Sequence, residues 1–273
     1  MKEEGVVYMI QGRRHQVVLA VSVWTLRQHY DGPVTIICTD DEGQKVAGRI
    51  CDDSRSGCEM KVVTDCASGR HSGYLNKTRV VDWTPYRKTV FIDADTTVAG
   101  SLDRLFPIHD EVVLTSFSDW TSLGRRLRPR IMKWDHVEAC EEDIAVSLKR
   151  GFPMINTGVF GFTKKTKVME DWYDYTAQNV SFICDEIAMQ LMFPRYPARV
   201  LSDAFNCSPF YGLHWDESVV RHYHGRKHLR PGNAVDSWWP AYKSAVSEKF
   251  ANLHKWTPAG DNRLKDFLKK AKK

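Results

Sequence analysis

Thr89-Val90-Phe91-Ile92-Asp93-Ala94-Asp95-Thr96-Thr97 runs an apolar tetrad straight into two carboxylates set one residue apart. A short apolar run of this kind is the pattern of a strand buried on both faces of a parallel sheet. Asp93 then stands at the carboxyl end of that strand, where the loops of an open α/β sheet frame a ligand crevice. Unpaired charge is costly to bury, so two carboxylates in that place call for a metal or for a capping or turn role. Hard oxygen ligands suit Mg²⁺ or Mn²⁺. Such an ion can bridge two phosphates and take up charge on a departing diphosphate. By itself the Asp-x-Asp turn is as compatible with capping as with metal binding.

Working outward, apolar runs alternate with amphipathic stretches through the first 120 residues, the signature of strands and helices in an α/β sheet. Val6-Val7-Tyr8-Met9-Ile10 reads as a first strand and Val34-Thr35-Ile36-Ile37-Cys38 as a second. Between them Val17, Val21 and Trp24 lie at i, i+4 and i+7, which predicts a helix with one buried stripe ending near Asp31-Gly32-Pro33. A third strand is predicted over Met60–Thr64, a helix from Tyr74 to Trp83 stopped by Pro85, a short helix from Asp103 to Phe106 and a strand over Val112–Thr115. From Asp119 to Pro153 charges cluster, with Arg125, Arg126, Arg128 and Arg130, as in an exposed insertion or an anion- or acceptor-facing lobe. No repeat or linker divides the chain. It reads as one domain over 1–273, with a first part to about 118, a second over 119–235 and a basic tail over 236–273, the first two corresponding to the nucleotide-binding and the acceptor and sugar parts that the resemblance below implies.

Composition narrows the classes. The 273 residues are 42% hydrophobic and 27% charged, a globular balance with enough chain for a sizeable core. No run approaches the roughly 18 apolar residues of a membrane helix, and Met1-Lys2-Glu3-Glu4-Gly5 lacks a signal-peptide layout, so a cytoplasmic protein is expected. The seven cysteines show no Cys-x-x-Cys spacing, as fits reduced thiols without structural zinc. The net charge of +5 is matched by the tail alone, where Arg263, Lys265, Lys269, Lys270, Lys272 and Lys273 face only Asp266. That tail is a solvated helix end or a contact for an anionic surface. Nucleic acid is not an expected partner, because the charge is modest and no binding motif is present.

The segment Asn76-Lys77-Thr78-Arg79-Val80-Val81-Asp82-Trp83-Thr84-Pro85-Tyr86-Arg87-Lys88, running into the opening stretch and on to Ser101-Leu102-Asp103-Arg104-Leu105-Phe106, resembles the glycogenin-like family 8 retaining glycosyltransferases. Three later islands fall in that family's order. Ile155-Asn156-Thr157-Gly158-Val159-Phe160 resembles its Asn-x-Gly-Val strand, Cys184-Asp185-Glu186 its Asp-Gln motif, and His222-Tyr223-His224-Gly225 its late His-x-x-Gly motif. The likeness spans about residues 5 to 230.

The resemblance implies a GT-A type fold, a Rossmann-like mixed sheet flanked by helices with a small C-terminal lobe. It implies a UDP-sugar donor, Mn²⁺ or Mg²⁺ held by Asp93, Asp95 and His222, and a glycan, glycolipid or protein acceptor. Lys77, Asp93, Ala94, Asp95, Gly225 and Lys227 would then bind the donor, and Asp185, Glu186 and Asn156 would be the catalytic group. Two departures stand out: Glu186 replaces the family's glutamine, and Arg226-Lys227-His228 replaces its Lys-Pro-Trp. Each island also has a plainer reading, as a turn for Asn156-Thr157-Gly158, a helix N-terminal pair for Asp185-Glu186 and a solvated loop for His222, His224 and His228. Trp120, Trp134, Trp238 and Trp239 are core residues or sugar-stacking platforms.

Two rival functions stay open on sequence. Asp93-Ala94-Asp95-Thr96-Thr97 also resembles the Asp-x-Asp-x-Thr loop of haloacid-dehalogenase-type phosphatases, with Asp93 as nucleophile and Gly260-Asp261 and Asp266 as the candidate acidic partners. A nucleotide-sugar-binding module without turnover would keep the same motifs.

Overall fold

A computed structural model describes residues 1–117, 142, 145–146, 153–210, 212–224 and 233–256. The first strand, β1, spans Lys2–Ile10 and alternates its side chains between two faces. Val6, Tyr8 and Ile10 enter one buried cluster, and Val7 enters another on the opposite face of the sheet. Next come helix α1 (Gln16–Leu26), β2 (Val34–Cys38), α2 (Asp41–Cys51) and β3 (Cys58–Val62). Two short helices, α3 (Ser72–Thr78) and α4 (Val80–Trp83), lead into β4 (Tyr86–Ile92) and the short β5 (Thr96–Val98). The order continues with β6 (Val112–Ser116), β7 (Ile155–Thr163), α5 (Lys167–Ala177), α6 (Cys184–Met192), β8 (Ala198–Leu201), β9 (Val220–His222) and α7 (Asn233–Ser247).

Among the described residues the strands make a seven-stranded sheet in the order β3-β2-β1-β4-β7-β6-β8, and β5 and β9 make a separate antiparallel pair. β1 to β4 run parallel, β7 is antiparallel to both its neighbours, and β6 and β8 are parallel. The sheet is therefore mixed, with helices on both faces, as the resemblance implied. β4, read from its apolar run as a parallel strand, is parallel to β1 on one side and antiparallel to β7 on the other.

Four local expectations are corrected. α1 is buried all round except at Trp24, rather than along one stripe. Its far side is covered by α7 and the 3₁₀ turn Phe250–Lys255, whose Trp238, Tyr242, Phe250 and Leu253 share its cluster. Residues up to Trp256 thus pack into the core, although the basic tail was expected to begin at 236. The helix expected over 74–83 breaks at Arg79 (φ −93, ψ 7), so α3 and α4 are separate pieces. β3 starts two residues early, because its register with β2 pairs Cys58 with Val34. α2 was not foreseen; Asp40 caps it by accepting from Gly43 N at 2.6 Å, and Val46, Ala47 and Ile50 are buried.

Candidate active site

The Asp93-Ala94-Asp95 turn lies where the sequence put it, at the carboxyl end of β4. Three ties fix it. Asp93 N donates to Gly158 O at 2.7 Å, Tyr223 N donates to Asp95 O at 2.8 Å, and the Thr96 hydroxyl donates to Asp93 O at 3.0 Å. The Thr96 hydroxyl also meets Ser22 Oγ at 2.7 Å, and Ser22 meets the Tyr8 hydroxyl at 3.0 Å. This buried chain of hydroxyls locks the turn onto α1. Ala94 packs at the margin of the same apolar cluster and enters the site through its backbone position alone.

His222 reaches the turn through the small sheet, since β5 and β9 pair Thr96 with His222. Its Nε2 lies 3.2 Å from Asp95 Oδ1 and 3.8 Å from Asp93 Oδ2. Asn206 orients the ring. The Asn206 amide nitrogen donates to Thr115 Oγ1, Asn156 Oδ1 and Asn156 O, which leaves its oxygen facing His222 Nδ1 at 2.9 Å. An oxygen there accepts only, so Nδ1 carries a proton and Nε2 faces carboxylate oxygens, an arrangement that a cation bound at Nε2, a proton or a metal ion, satisfies. One ligand atom from each of Asp93, Asp95 and His222 falls within 4.8 Å of the others, the spacing of a metal site.

Lys77 and Asp185 form the other wall. Lys77 Nζ lies 3.1 Å from Asp93 Oδ2 and 3.1 Å from Asp185 Oδ2, so one buried ammonium ties β4 to α6. Asp185 Oδ2 also accepts from Thr157 Oγ1 at 2.8 Å, and its backbone oxygen accepts from Trp172 Nε1 at 2.9 Å. Asp185 Oδ1 is buried with no hydrogen-bond partner among the described residues. Glu186 Oε2 accepts from Asn156 Nδ2 at 2.5 Å, and Asn156 Oδ1 accepts from Gly158 N at 2.9 Å. Asp185 and Glu186 occupy the first turn of α6, as a helix N-terminal pair would, and Asn156 lies within β7 rather than in a turn.

Among the described residues, Asp93, Asp95, Asp185 and Glu186 bring four carboxylates together beside the ammonium of Lys77 and the ring of His222. Burial pushes the Asp93 carboxyl above the usual range despite Lys77 and His222. Burial acts on Asp95 in the same sense, but His222 outweighs it and holds that carboxyl below the usual range. Lys77 is penalised by burial, yet Asp93 and Asp185 more than offset this and keep its ammonium above the ordinary lysine value. A site this rich in carboxylate, with Asp93 and Asp95 half-buried and Asp185 and Glu186 buried, fits a hard divalent cation.

Of the residues named from sequence, Lys77, Asp93, Ala94, Asp95, Asn156, Asp185, Glu186 and His222 converge here. Gly225 and Lys227 lie outside the described residues, as do Arg226 and Arg230, Trp120 and Trp134, the Arg125–Arg130 cluster, and the phosphatase reading's Gly260, Asp261 and Asp266. Trp238 is fully buried in the core and Trp239 stacks on Tyr242 at 5.1 Å.

Sequence reading missed Asn206, Thr157 and Gly158 as site residues. Gly158 has a steric reason: a Cβ there would sit 2.2 Å from His222 Cε1. Asn206 sits in Ala204-Phe205-Asn206-Cys207, where no motif singles it out.

No protein-family model matches this chain. No curated protein matches it either. Solved structures do. The glycosyltransferase GlyE of Streptococcus pneumoniae TIGR4 superposes with a TM-score of 0.60 at 14% identity, covering 96% of this chain and 66% of GlyE. The galactosyltransferase LgtC, solved with donor and acceptor sugar analogs, gives a TM-score of 0.58 at 13% identity, covering 88% of this chain and 96% of LgtC. The bifunctional glycosyltransferase WbbM gives 0.64 at 12% identity, with this chain spanning 51% of its length. At these identities the likeness is one of fold: this chain has the mixed α/β fold shared by these GT-A glycosyltransferases.

Proposed function

We propose that this chain is a metal-dependent retaining glycosyltransferase that moves a hexose from a UDP-sugar donor to a glycan, glycolipid or protein acceptor. The observation that carries the reading is the convergence of Asp93, Asp95 and His222 beside the Lys77–Asp185 pair, on a fold shared with solved glycosyltransferases. Asp93, Asp95 and His222 would hold Mn²⁺ or Mg²⁺, whose Lewis-acid charge supports departure of the nucleoside diphosphate. Asn206 keeps the Nε2 lone pair of His222 available for that role.

The protein's own share of the chemistry is positioning and field. Lys77 sets a fixed positive charge beside Asp93, where negative charge grows on the leaving phosphate. Asp185 presents its buried, unpartnered Oδ1 to the sugar, and a carboxylate in that place steadies positive charge at the anomeric carbon. Asn156 holds Glu186 beside it. The bond from the anomeric carbon to the diphosphate oxygen breaks, the acceptor oxygen bonds to that carbon, and the acceptor proton passes to the departing phosphate. Retention follows in this reading from the family resemblance, as does a place for Gly225 and Lys227 at the diphosphate. The basic tail is a candidate contact for an anionic surface in the same reading.

The test is release of UDP from a panel of UDP-hexoses in Mn²⁺. Wild-type protein should hydrolyse at least one donor slowly, and both a chelator and Asp95→Ala should abolish this. Wild-type turnover in Asp95→Ala would refute the metal assignment, and phosphate release from simple phosphomonoesters without donor cleavage would favour the phosphatase reading. Among the described residues no helix is long and apolar enough to cross a membrane, so the assay can be run in plain buffer first.

A further inference from the structure

β3 is an edge strand. Among the described residues it pairs with β2 alone, and no strand runs along its outer side. Val63 N donates to Cys38 O at 3.0 Å, and this bond fixes which way each peptide of β3 faces. Along a strand, successive residues turn their N–H and C=O to opposite neighbours. Glu59 and Lys61 therefore bond β2, and the backbone groups of Met60 and Val62 point out from the sheet edge, where no described residue pairs with them. Their side chains are open too, at 40% for Met60 and 44% for Val62.

An open edge of this kind invites another strand, and folded proteins blunt it with charge, proline or a bulge. β3 has no proline, and its register with β2 is unbroken. Its charges are Glu59 and Lys61, opposite in sign and two residues apart. A lone lysine repels a copy of itself, whereas this pair selects one register. Two copies joined edge to edge about a two-fold axis run antiparallel, and outward-facing residues must oppose outward-facing ones. With Met60 opposite Met60, Val62 stands opposite Cys58 and Lys61 opposite Glu59, each twice by symmetry. The Glu59–Lys61 pairs then fall at non-hydrogen-bonded positions, where Cα atoms approach to about 4.5 Å. Sliding by two residues sets Glu59 against Glu59 one way and Lys61 against Lys61 the other, and like charges directly opposite are destabilising.

We infer that β3 is a self-association edge: a second copy of this chain adds its own β3 antiparallel, with Met60 at the two-fold axis and the Glu59–Lys61 pairs fixing the register. Glu59 meets Lys2 at 2.5 Å within the chain, an exposed pair that is readily exchanged, and Lys61 gives one of its three protons to Trp83 O at 2.7 Å. Met60 against Met60 and Val62 against Cys58 take apolar surface out of water. Five residues a side make a small interface, so the dimer is weak, with a Kd on the order of micromolar. The candidate active site, at the end of β4 three strands away, takes no part, so the pairing is independent of its chemistry.

Sedimentation velocity across a dilution series of the full chain should show a reversible monomer–dimer equilibrium. In hydrogen exchange the Met60 and Val62 amides should slow as concentration rises, and those of Glu59 and Lys61, already bonded to β2, should not change. Glu59→Lys and Lys61→Glu each set like charges face to face and should raise the dimer Kd about tenfold or more, while the double exchange restores opposite charges and should return it to within about threefold of wild type. Met60→Pro should abolish the dimer and keep the fold by circular dichroism, because the Met60 N–H takes no part in the ladder with β2. A monomer at every concentration with freely exchanging Met60 and Val62 amides would overturn the inference. So would a monomer in which those amides are always protected, which would put another segment of this chain on the edge. A dimer indifferent to all of these variants would use some other face, and a double exchange as weak as the single ones would overturn the register.

Discussion

Gly158→Ala isolates how tightly the histidine is held. Gly158 lies inside β7 with a backbone conformation open to any L-residue, so the change adds one methyl group and no backbone strain. That methyl carbon would fall 2.2 Å from His222 Cε1, 2.5 Å from Nδ1 and 2.8 Å from Asn156 Oδ1. To reach ordinary contact at 3.4 Å the imidazole must retreat by about 1.2 Å, and the ring is buried, with Asn206 gripping its Nδ1. A shift of the ring on that scale takes Nε2 out of its 3.2 Å alignment with Asp95. Losing alignment of one ligand in three should weaken Mn²⁺ binding about 10- to 100-fold, and the crowding should cost roughly 1–3 kcal/mol of stability. Calorimetric titration with Mn²⁺ reads the first and thermal unfolding the second. Wild-type Mn²⁺ affinity in a folded Gly158→Ala protein would refute the claim that His222 acts as a metal ligand in this position.

Replacing Asn206 with Leu should lower Mn²⁺ affinity about 10- to 100-fold with the fold retained, because the His222 tautomer loses its anchor; unchanged titration would show that the ring is set by β9 alone. Lys77→Met leaves the half-buried Asp93 and the buried Asp185 carboxylates without their shared ammonium. It should cost about 3–5 kcal/mol, seen by circular dichroism as a fall of roughly 10 °C in thermal midpoint, and a loss under about 1 kcal/mol would mean the charges are relieved some other way. At a distance from the site, Asp53 accepts from Arg55 and from Ala251 N, and the Arg55 hydrogen bond leads in lowering its carboxyl to about 2. A depressed carboxyl contributes stability above its unfolded value near 3.8 and loses it as pH falls toward 2. Asp53→Asn should therefore remove about 1–2 kcal/mol at pH 7 and flatten the acid loss between pH 4 and 2 in denaturant titrations.

Much of the fold was legible because its signals are local. The apolar runs at Val6–Ile10, Val34–Cys38 and Thr89–Ile92 each specify a strand from composition alone, and the carboxylates after Ile92 had to sit at a strand's end. Errors arose where burial depends on something distant. α1 looked one-sided because nothing near it in sequence announces that residues 237–256 return to cover its outer face. α2 was missed because Asp41-Glu42-Gly43-Gln44-Lys45 is polar and carries a glycine, and its helix rests on the Asp40 cap and three buried residues.

By itself, then, the sequence determined an α/β sheet, a carboxylate turn at the end of its central strand, and a set of islands in a recognisable order. That His222 joins Asp93 and Asp95 was implied by the resemblance alone; the tertiary structure supplies the means, a two-stranded pairing between β5 and β9 that has no sequence pattern to name its partner. Only the tertiary structure decided the Asn206 amide that orients the ring, the close approach that Gly158 permits, and the single ammonium of Lys77 shared by Asp93 and Asp185. Strand and helix periodicity is written in neighbouring residues. The balance of charge in a buried site is a sum over residues far apart in the chain, and it exists only once the chain has folded.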